Sequence, residues 1–251
     1  MSQVVEFADK KLTFTDDWVF FTVQGEGRFV GVPSVFVRLS ACNLRCEWSN
    51  HDGTTTKCDT PYSSHQPEKN LKTIDETIQE ILKYNCKHVV VTGGEPMLQV
   101  NVTLLVDELV TKHGKFVTIE TNGTIWRDCK AQFFSVSPKL ATSCPHTSDN
   151  FEMHHTKRFN PQSFAEFAKR AHQFKFVANS QHDIVDIKEL IKAVAILNRG
   201  YDSENVYLMP QGTTTEQLDK RLPWIIETAK ENGWNVSDRF HIRAFGQKRG
   251  T

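Results

Sequence analysis

The sequence has no excess of charge of either sign: 30 lysines and arginines stand against 30 aspartates and glutamates. Without a basic field, the chain is not built to track a nucleic-acid backbone. It also lacks an apolar run long enough to span a bilayer. Its first stretch, Met1 to Lys11, carries acids and no long apolar core, so a secretory leader is not expected there. These absences exclude a membrane protein and point to the cytoplasm. Tandem sequence repeats are also missing.

Cysteine is scarce and unevenly spent. Of six cysteines, Cys42, Cys46 and Cys58 fall close together. They follow the apolar run Val35 to Leu39, which reads as a buried strand, so they belong to the loop at its carboxyl end. In a reducing compartment, clustered thiols point to metal or redox chemistry before disulfides. Thiolates select iron–sulfur clusters, zinc or copper. Three thiols suit a site with one metal position left open, while a closed zinc site needs a fourth ligand, which His51 is near enough to supply. Local spacing favours metal over free loop cysteines and leaves these forms open.

Strand and helix signals alternate along the rest of the chain. Trp18 to Val23 reads as a strand ending in Gln24-Gly25-Glu26-Gly27, where glycines permit a tight turn or a close ligand approach. Arg38 interrupts an apolar strand and needs an anionic partner, either a protein carboxylate or a substrate's. Residues 47–57 form a polar insert, and Ser63 to Asn70 a second polar loop. Thr73 to Leu82 has helical spacing, with Ile74, Ile78, Ile81 and Leu82 on one face and a capping box of Thr73 and Glu76. His88 to Thr92 is a β-branched strand running into Gly93-Gly94-Glu95-Pro96. Bare backbone and a carboxylate thus stand at the sheet's carboxyl edge, where such sheets bind ligands. Glu95 could hold an ammonium group or cap a turn.

Further helices are expected at Val102 to Lys112, Ser163 to Phe174, Asp183 to Leu197 and Thr214 to Glu231. Further strands are expected at Phe116 to Ile119, Phe133 to Val136, Phe174 to Val177, Val206 to Met209 and Arg239 to Arg243. Residues 141–160, with Cys144, His146, His154 and His155, read as a solvated excursion more readily than as a second metal site. Strand–helix units recurring at about thirty residues indicate an α/β fold, a parallel sheet or (β/α) barrel.

Together these pieces resemble the radical S-adenosylmethionine (radical SAM) superfamily, and within it the 7-carboxy-7-deazaguanine synthase family. The resemblance rests on Gln24 to Gly27, Val35 to Leu39, Cys42-Asn43-Leu44, Cys58-Asp59-Thr60 and Thr92 to Pro96. It continues through Glu120 to Gly123, Ser137 to Lys139, Lys175 to Val177, Leu208 to Gly212 and Arg239 to Ile242, in family order across nearly the whole chain. One departure stands out: eleven residues separate Cys46 from Cys58, where the common pattern has two. Matching from Cys58-Asp59-Thr60 treats residues 47–57 as an insert between ligands.

The resemblance implies a single-domain partial (β/α) barrel of the radical SAM type, with inserts near 47–57 and 141–160. It implies a four-iron cluster on Cys42, Cys46 and Cys58, and S-adenosylmethionine held by Gly93, Gly94, Glu95, Glu120, Asn122 and Ser137. Magnesium at Thr60 follows, as does a pterin substrate met by Gln24, Glu26, Arg38, Gln211 and His241. The reaction implied is ring contraction of 6-carboxy-5,6,7,8-tetrahydropterin with loss of ammonia, begun by a 5′-deoxyadenosyl radical in queuosine and deazapurine biosynthesis. A homodimer and an external one-electron donor such as a flavodoxin are implied too. Two alternatives remain: a glycyl-radical-enzyme activase of the same superfamily, and a non-catalytic zinc module.

Overall fold

The structure, a computed structural model, describes residues 10–49, 54–146, 148–199, 201 and 203–251. In chain order the strands are β1 (Lys11–Val23), β2 (Pro33–Leu39), β3 (Glu47–Ser49), β4 (Thr55–Lys57), β5 (Asn70–Thr73) and β6 (His88–Gly93). They continue with β7 (Phe116–Thr121), β8 (Phe133–Val136), β9 (His172–Ala178), β10 (Val206–Pro210) and β11 (Asn235–Val236). The helices are α1 (Pro61–Ser64), α2 (Ile74–Leu82), α3 (Val102–Thr111), α4 (Phe151–Arg158), α5 (Pro161–Ala168), α6 (Gln181–Leu197), α7 (Thr215–Asn232) and α8 (Phe240–Phe245).

Among the described residues, nine strands form one sheet in the order β11-β10-β9-β8-β7-β6-β2-β1-β5. The neighbours from β2 through β10 are all parallel. β11 adds a parallel edge, while β1 and β5 pair antiparallel at the other. Edge strands β5 and β11 do not pair with each other, so the barrel is open.

Side-chain alternation assigns the two faces of each strand. Val35, Val37 and Leu39 of β2, Val89 and Val91 of β6, Val117 and Ile119 of β7, and Phe174 and Phe176 of β9 join the core shared with the helices. The alternate positions point inward. Low in the barrel they form a plug, where His88 bonds Ser34 and Thr118 at 2.9 and 2.8 Å and Phe29 packs edge-on to His88, Phe116 and Phe133. Higher up, the same face carries Arg38, Thr92, Glu120, Ser135 and Lys175, which all line one cavity. Closure below and polarity above confine chemistry to the carboxyl edge of the strands.

Most expected elements are present, with differences of physical interest. The capping box of α2 forms as expected: Thr73 Oγ1 accepts from the Glu76 amide, and Glu76 accepts from the Thr73 amide. Leu82, expected on its buried face, is 37% exposed. The helix expected to reach Phe174 ends at Ala168, because His172 and Gln173 are already paired with β8. Part of the loop expected over 63–70 belongs instead to α1, whose amino end is Pro61.

Two differences touch the site. The strand expected at Arg239–Arg243 is the short helix α8. The Phe240 amide bonds Gly25 O and Arg239 turns inward to Glu26, so the segment leaves the sheet. The excursion at 141–160 is not a solvated loop. It contains α4, and its Ser143, Cys144 and His154 are buried. His154 accepts from the Arg45 amide at 3.1 Å and contacts Ser143 Oγ at 3.2 Å, so the segment braces the cysteine loop. Burial pushes the His154 imidazole down to about 4, with Arg158 adding to the effect.

Candidate active site

The cysteine loop begins where β2 ends. Ala41 has φ of 74°, a left-handed backbone uncommon outside glycine, and it turns the chain so that Cys42 faces the cavity. The polar insert between Cys46 and Cys58 is the hairpin of β3 and β4, with Glu47 opposite Lys57 and the Cys58 amide bonded to Cys46 O at 3.1 Å. The hairpin base therefore brings together two cysteines that the insert separates in sequence. His51, near enough in sequence to complete a closed zinc site, lies outside the described residues.

The Gly-Gly edge of β6 packs directly on this loop. Gly94 N bonds Leu39 O at 3.1 Å, and Glu95 N bonds Ala41 O at 2.9 Å. A methyl group on Gly94 would lie 2.2 Å from Ala41 O and 2.4 Å from Ser63 O, both backbone atoms that cannot swing aside. Gly94→Ala is therefore expected to lower stability by about 2–4 kcal/mol and to impair metal loading, because the loop must move. Thermal melting and iron content of the purified variant check this; an unchanged melting point with full iron content would contradict it.

A cavity of about 320 Å³ opens at this edge. Of the residues singled out from sequence, Gln24, Glu26, Arg38, Cys42, Cys46, Cys58, Thr60, Gly93, Gly94, Glu120, Asn122, Ser137, Gln211 and His241 all line it. Glu95 does not. It is fully buried and accepts from Thr121 Oγ1, the Asn122 amide and the Met97 amide at 2.7, 2.7 and 2.9 Å. Burial pushes its carboxyl up to about 7 against those three donors. Glu95 thus clamps the ends of β6 and β7 beneath the cavity. The exposed backbone of Gly93 and Gly94 is what the edge offers.

Glu120 accepts from Gln24 Nε2 at 2.9 Å and Thr92 Oγ1 at 2.8 Å. Asn122 accepts from Thr124 Oγ1 at 2.7 Å and donates to Asn43 Oδ1 at 3.0 Å, which ties β7 to the cysteine loop. Ser137 Oγ receives a hydrogen bond from Lys139 Nζ at 2.8 Å.

Buried charges meet on the opposite wall. Glu26 pairs with Lys175 and, at 3.0 Å, with Arg239 Nε, and His241 Nε2 lies 3.9 Å away. Arg239 also reaches Asp59 at 2.5 Å and Gly212 O at 2.6 Å. Burial opposes ionisation of Glu26, yet Lys175, Arg239 and His241 together hold its carboxyl well below the usual range. Asp59 neighbours Cys58, so the network couples this wall to the cysteine loop. Lys175 and Arg239 were not among the expected site residues. For Lys175 the signal was present: a lysine inside an apolar strand, the same anomaly that marked Arg38.

Arg38 has the mixed surroundings its strand position suggested. Its Nε stands 3.9 Å from Asp17 Oδ2, and both atoms are buried without a hydrogen bond. The guanidinium lies over Phe20 at 5.1 Å and faces the cavity.

A parallel open barrel with three thiols from one loop at its carboxyl edge defines a radical-enzyme architecture, and residues 37–177 match the Radical SAM superfamily. Cys42, Cys46 and Cys58 together line one cavity, and three soft thiolates are a donor set that suits an iron–sulfur cluster. The chain is 39% identical to the 7-carboxy-7-deazaguanine synthase of Rhodopirellula baltica, over 92% of this chain and 86% of that protein. It is 36% identical to the protein of that name from Halobacterium salinarum, over 89% and 87%. The crystal structure of QueE from Escherichia coli shares the fold, with a TM-score of 0.68 at 24% identity, covering 96% of this chain and 99% of that one. The chain belongs to the 7-carboxy-7-deazaguanine synthase family of radical SAM enzymes. This assignment favours the synthase over the activase and zinc-module alternatives. Among the described residues, no helix is long and apolar enough to cross a membrane.

Proposed function

We propose that the chain converts 6-carboxy-5,6,7,8-tetrahydropterin to 7-carboxy-7-deazaguanine with loss of ammonia, within queuosine and deazapurine biosynthesis. The observation that carries the reading is one cavity with three thiols and a bare Gly-Gly edge on one wall, and a buried charge network on the other. Cys42, Cys46 and Cys58 hold the cluster. Gly93 and Gly94 offer backbone groups to the methionine part of S-adenosylmethionine, with Glu120, Asn122 and Ser137 toward its remainder. Together, bound cluster and S-adenosylmethionine supply one-electron chemistry that creates an organic radical beside the substrate.

The chain's own residues orient the pterin and keep water out. Gln24, Glu26, Gln211 and His241 meet its polar edges. Arg38 grips its carboxylate. Thr60 Oγ1 is the oxygen donor for magnesium, a hard cation that prefers oxygen ligands. An external flavodoxin-like protein donates the electron, and two copies of the chain form the working unit in the cytoplasm. The direct test is anaerobic incubation with iron-loaded protein, reductant, S-adenosylmethionine and the pterin. Stoichiometric ammonia release is expected; none above a protein-free control contradicts the reading.

Arg38→Lys isolates substrate binding. Lysine cannot copy the planar two-bond grip on a carboxylate. The variant is expected to keep its iron and lose about 1.5–3 kcal/mol of substrate affinity, with a nearly unchanged melting point. Unaltered affinity with a lowered melting point would instead make Arg38 an internal partner of Asp17.

A further inference from the structure

We propose that Arg249 is a positioning residue for the substrate clamp: it straps residues 246–251 across the barrel's open seam and draws Asp17 away from Arg38. The inference rests on the proposed role of Arg38 and adds a residue that neither motif nor spacing marked.

Topology sets up the strap. α8 follows β11 at one edge of the sheet, whereas Asp17 lies on β1 near the other. Residues 246–251 run between them and line the cavity. The Arg249 side chain anchors the segment. Arg249 donates to both oxygens of Glu68 at 2.9 and 2.6 Å, and to Asp17 Oδ1 at 2.6 Å. Its guanidinium also lies 3.8 Å from the Tyr62 ring centroid. Bidentate contact, a second carboxylate and an aromatic face make a geometry that lysine does not reproduce.

Asp17 is the shared element. It sits where the β1–β2 register shifts, between Phe14 and Val19, so the strand bulges there. Its Oδ1 accepts from Arg249 and from Thr15 Oγ1 at 2.9 Å, while its Oδ2 is left 3.9 Å from Arg38 Nε. Arg38 and Asp17 are thus near neighbours that do not hydrogen-bond, and each has a buried polar atom unmatched. With Asp17 held by Arg249, the Arg38 fork remains open to an incoming carboxylate. Without Arg249, Asp17 is free to close on Arg38 and compete with the substrate.

The test is a rescue experiment on iron-loaded enzyme. Arg249→Ala is expected to raise the substrate KM by about tenfold while kcat stays within about threefold. Adding Asp17→Asn removes the competing carboxylate, and the double variant is expected to return KM to within about threefold of wild type. A purely structural role for Arg249 would give no such rescue. An unchanged KM in Arg249→Ala, or a double variant no better than the single one, overturns the proposal. Amide exchange of residues 246–251 reports the strap without turnover: it is expected to accelerate in Arg249→Ala, and equal protection overturns the strap. If wild-type enzyme fails to convert the pterin, the proposed reaction is wrong, and the exchange experiment still decides the strap.

Discussion

Cys46→Ala is expected to yield a folded protein that has lost its iron, its broad absorption at roughly 400 nm and all measurable turnover. Cys46 is the proposed ligand whose spacing departs most from the superfamily pattern, since an eleven-residue insert follows it. The hairpin accounts for the departure: the Cys58 amide bonds Cys46 O at its base, so the two thiols share one cavity wall, and Trp48, Thr56 and Lys57 of the insert line the cavity beside them. A cluster with three protein ligands has no spare thiol to replace a missing one. The small buried change itself should lower stability by only about 1 kcal/mol. Iron content, the visible spectrum and melting point on one anaerobic preparation decide the matter. A full complement of iron with retained activity would remove Cys46 from the ligand set.

Lys175→Met is expected to have the largest effect on stability. Lys175 is buried, the Glu26 side chain is 14% exposed, and Arg239 shares the same carboxylate. Removing one partner leaves charge uncompensated in a poorly solvated wall, at about 3–5 kcal/mol. Adding Glu26→Gln to Lys175→Met should recover part of the loss, because the stranded carboxylate is gone. Chemical denaturation of the single and double variants measures this coupling; additive losses would contradict it. The sign of the acid response is also determined. Glu26's carboxyl is held below its ordinary 4.5, so its contribution is complete above that value and is lost as pH falls toward the folded pKa.

The repeating parallel strands were legible because buried parallel strands are nearly uniform β-branched or aromatic runs, as in His88–Gly93 and Phe133–Val136. Polar residues at their carboxyl ends located the cavity for the same reason. What sequence concealed depended on partners distant along the chain. Arg239 looked like part of a strand until Glu26 and Asp59 were placed beside it. Nothing near Glu95 in sequence told that Thr121 and the amides of Met97 and Asn122 would meet its carboxylate. The segment at 141–160 has polar composition, yet His154 is buried because the cysteine loop needs an acceptor for the Arg45 amide. Arg249 offered no local signal, since its carboxylates lie 181 and 232 positions away in the chain.

Mass analysis of a single anaerobic incubation tests the central claim most directly. Iron-loaded protein, reductant, magnesium, S-adenosylmethionine and 6-carboxy-5,6,7,8-tetrahydropterin are combined, and both small molecules are followed. The account predicts that 7-carboxy-7-deazaguanine accumulates while S-adenosylmethionine is recovered intact, because it is used catalytically. Consumption of S-adenosylmethionine with the pterin unchanged would contradict it.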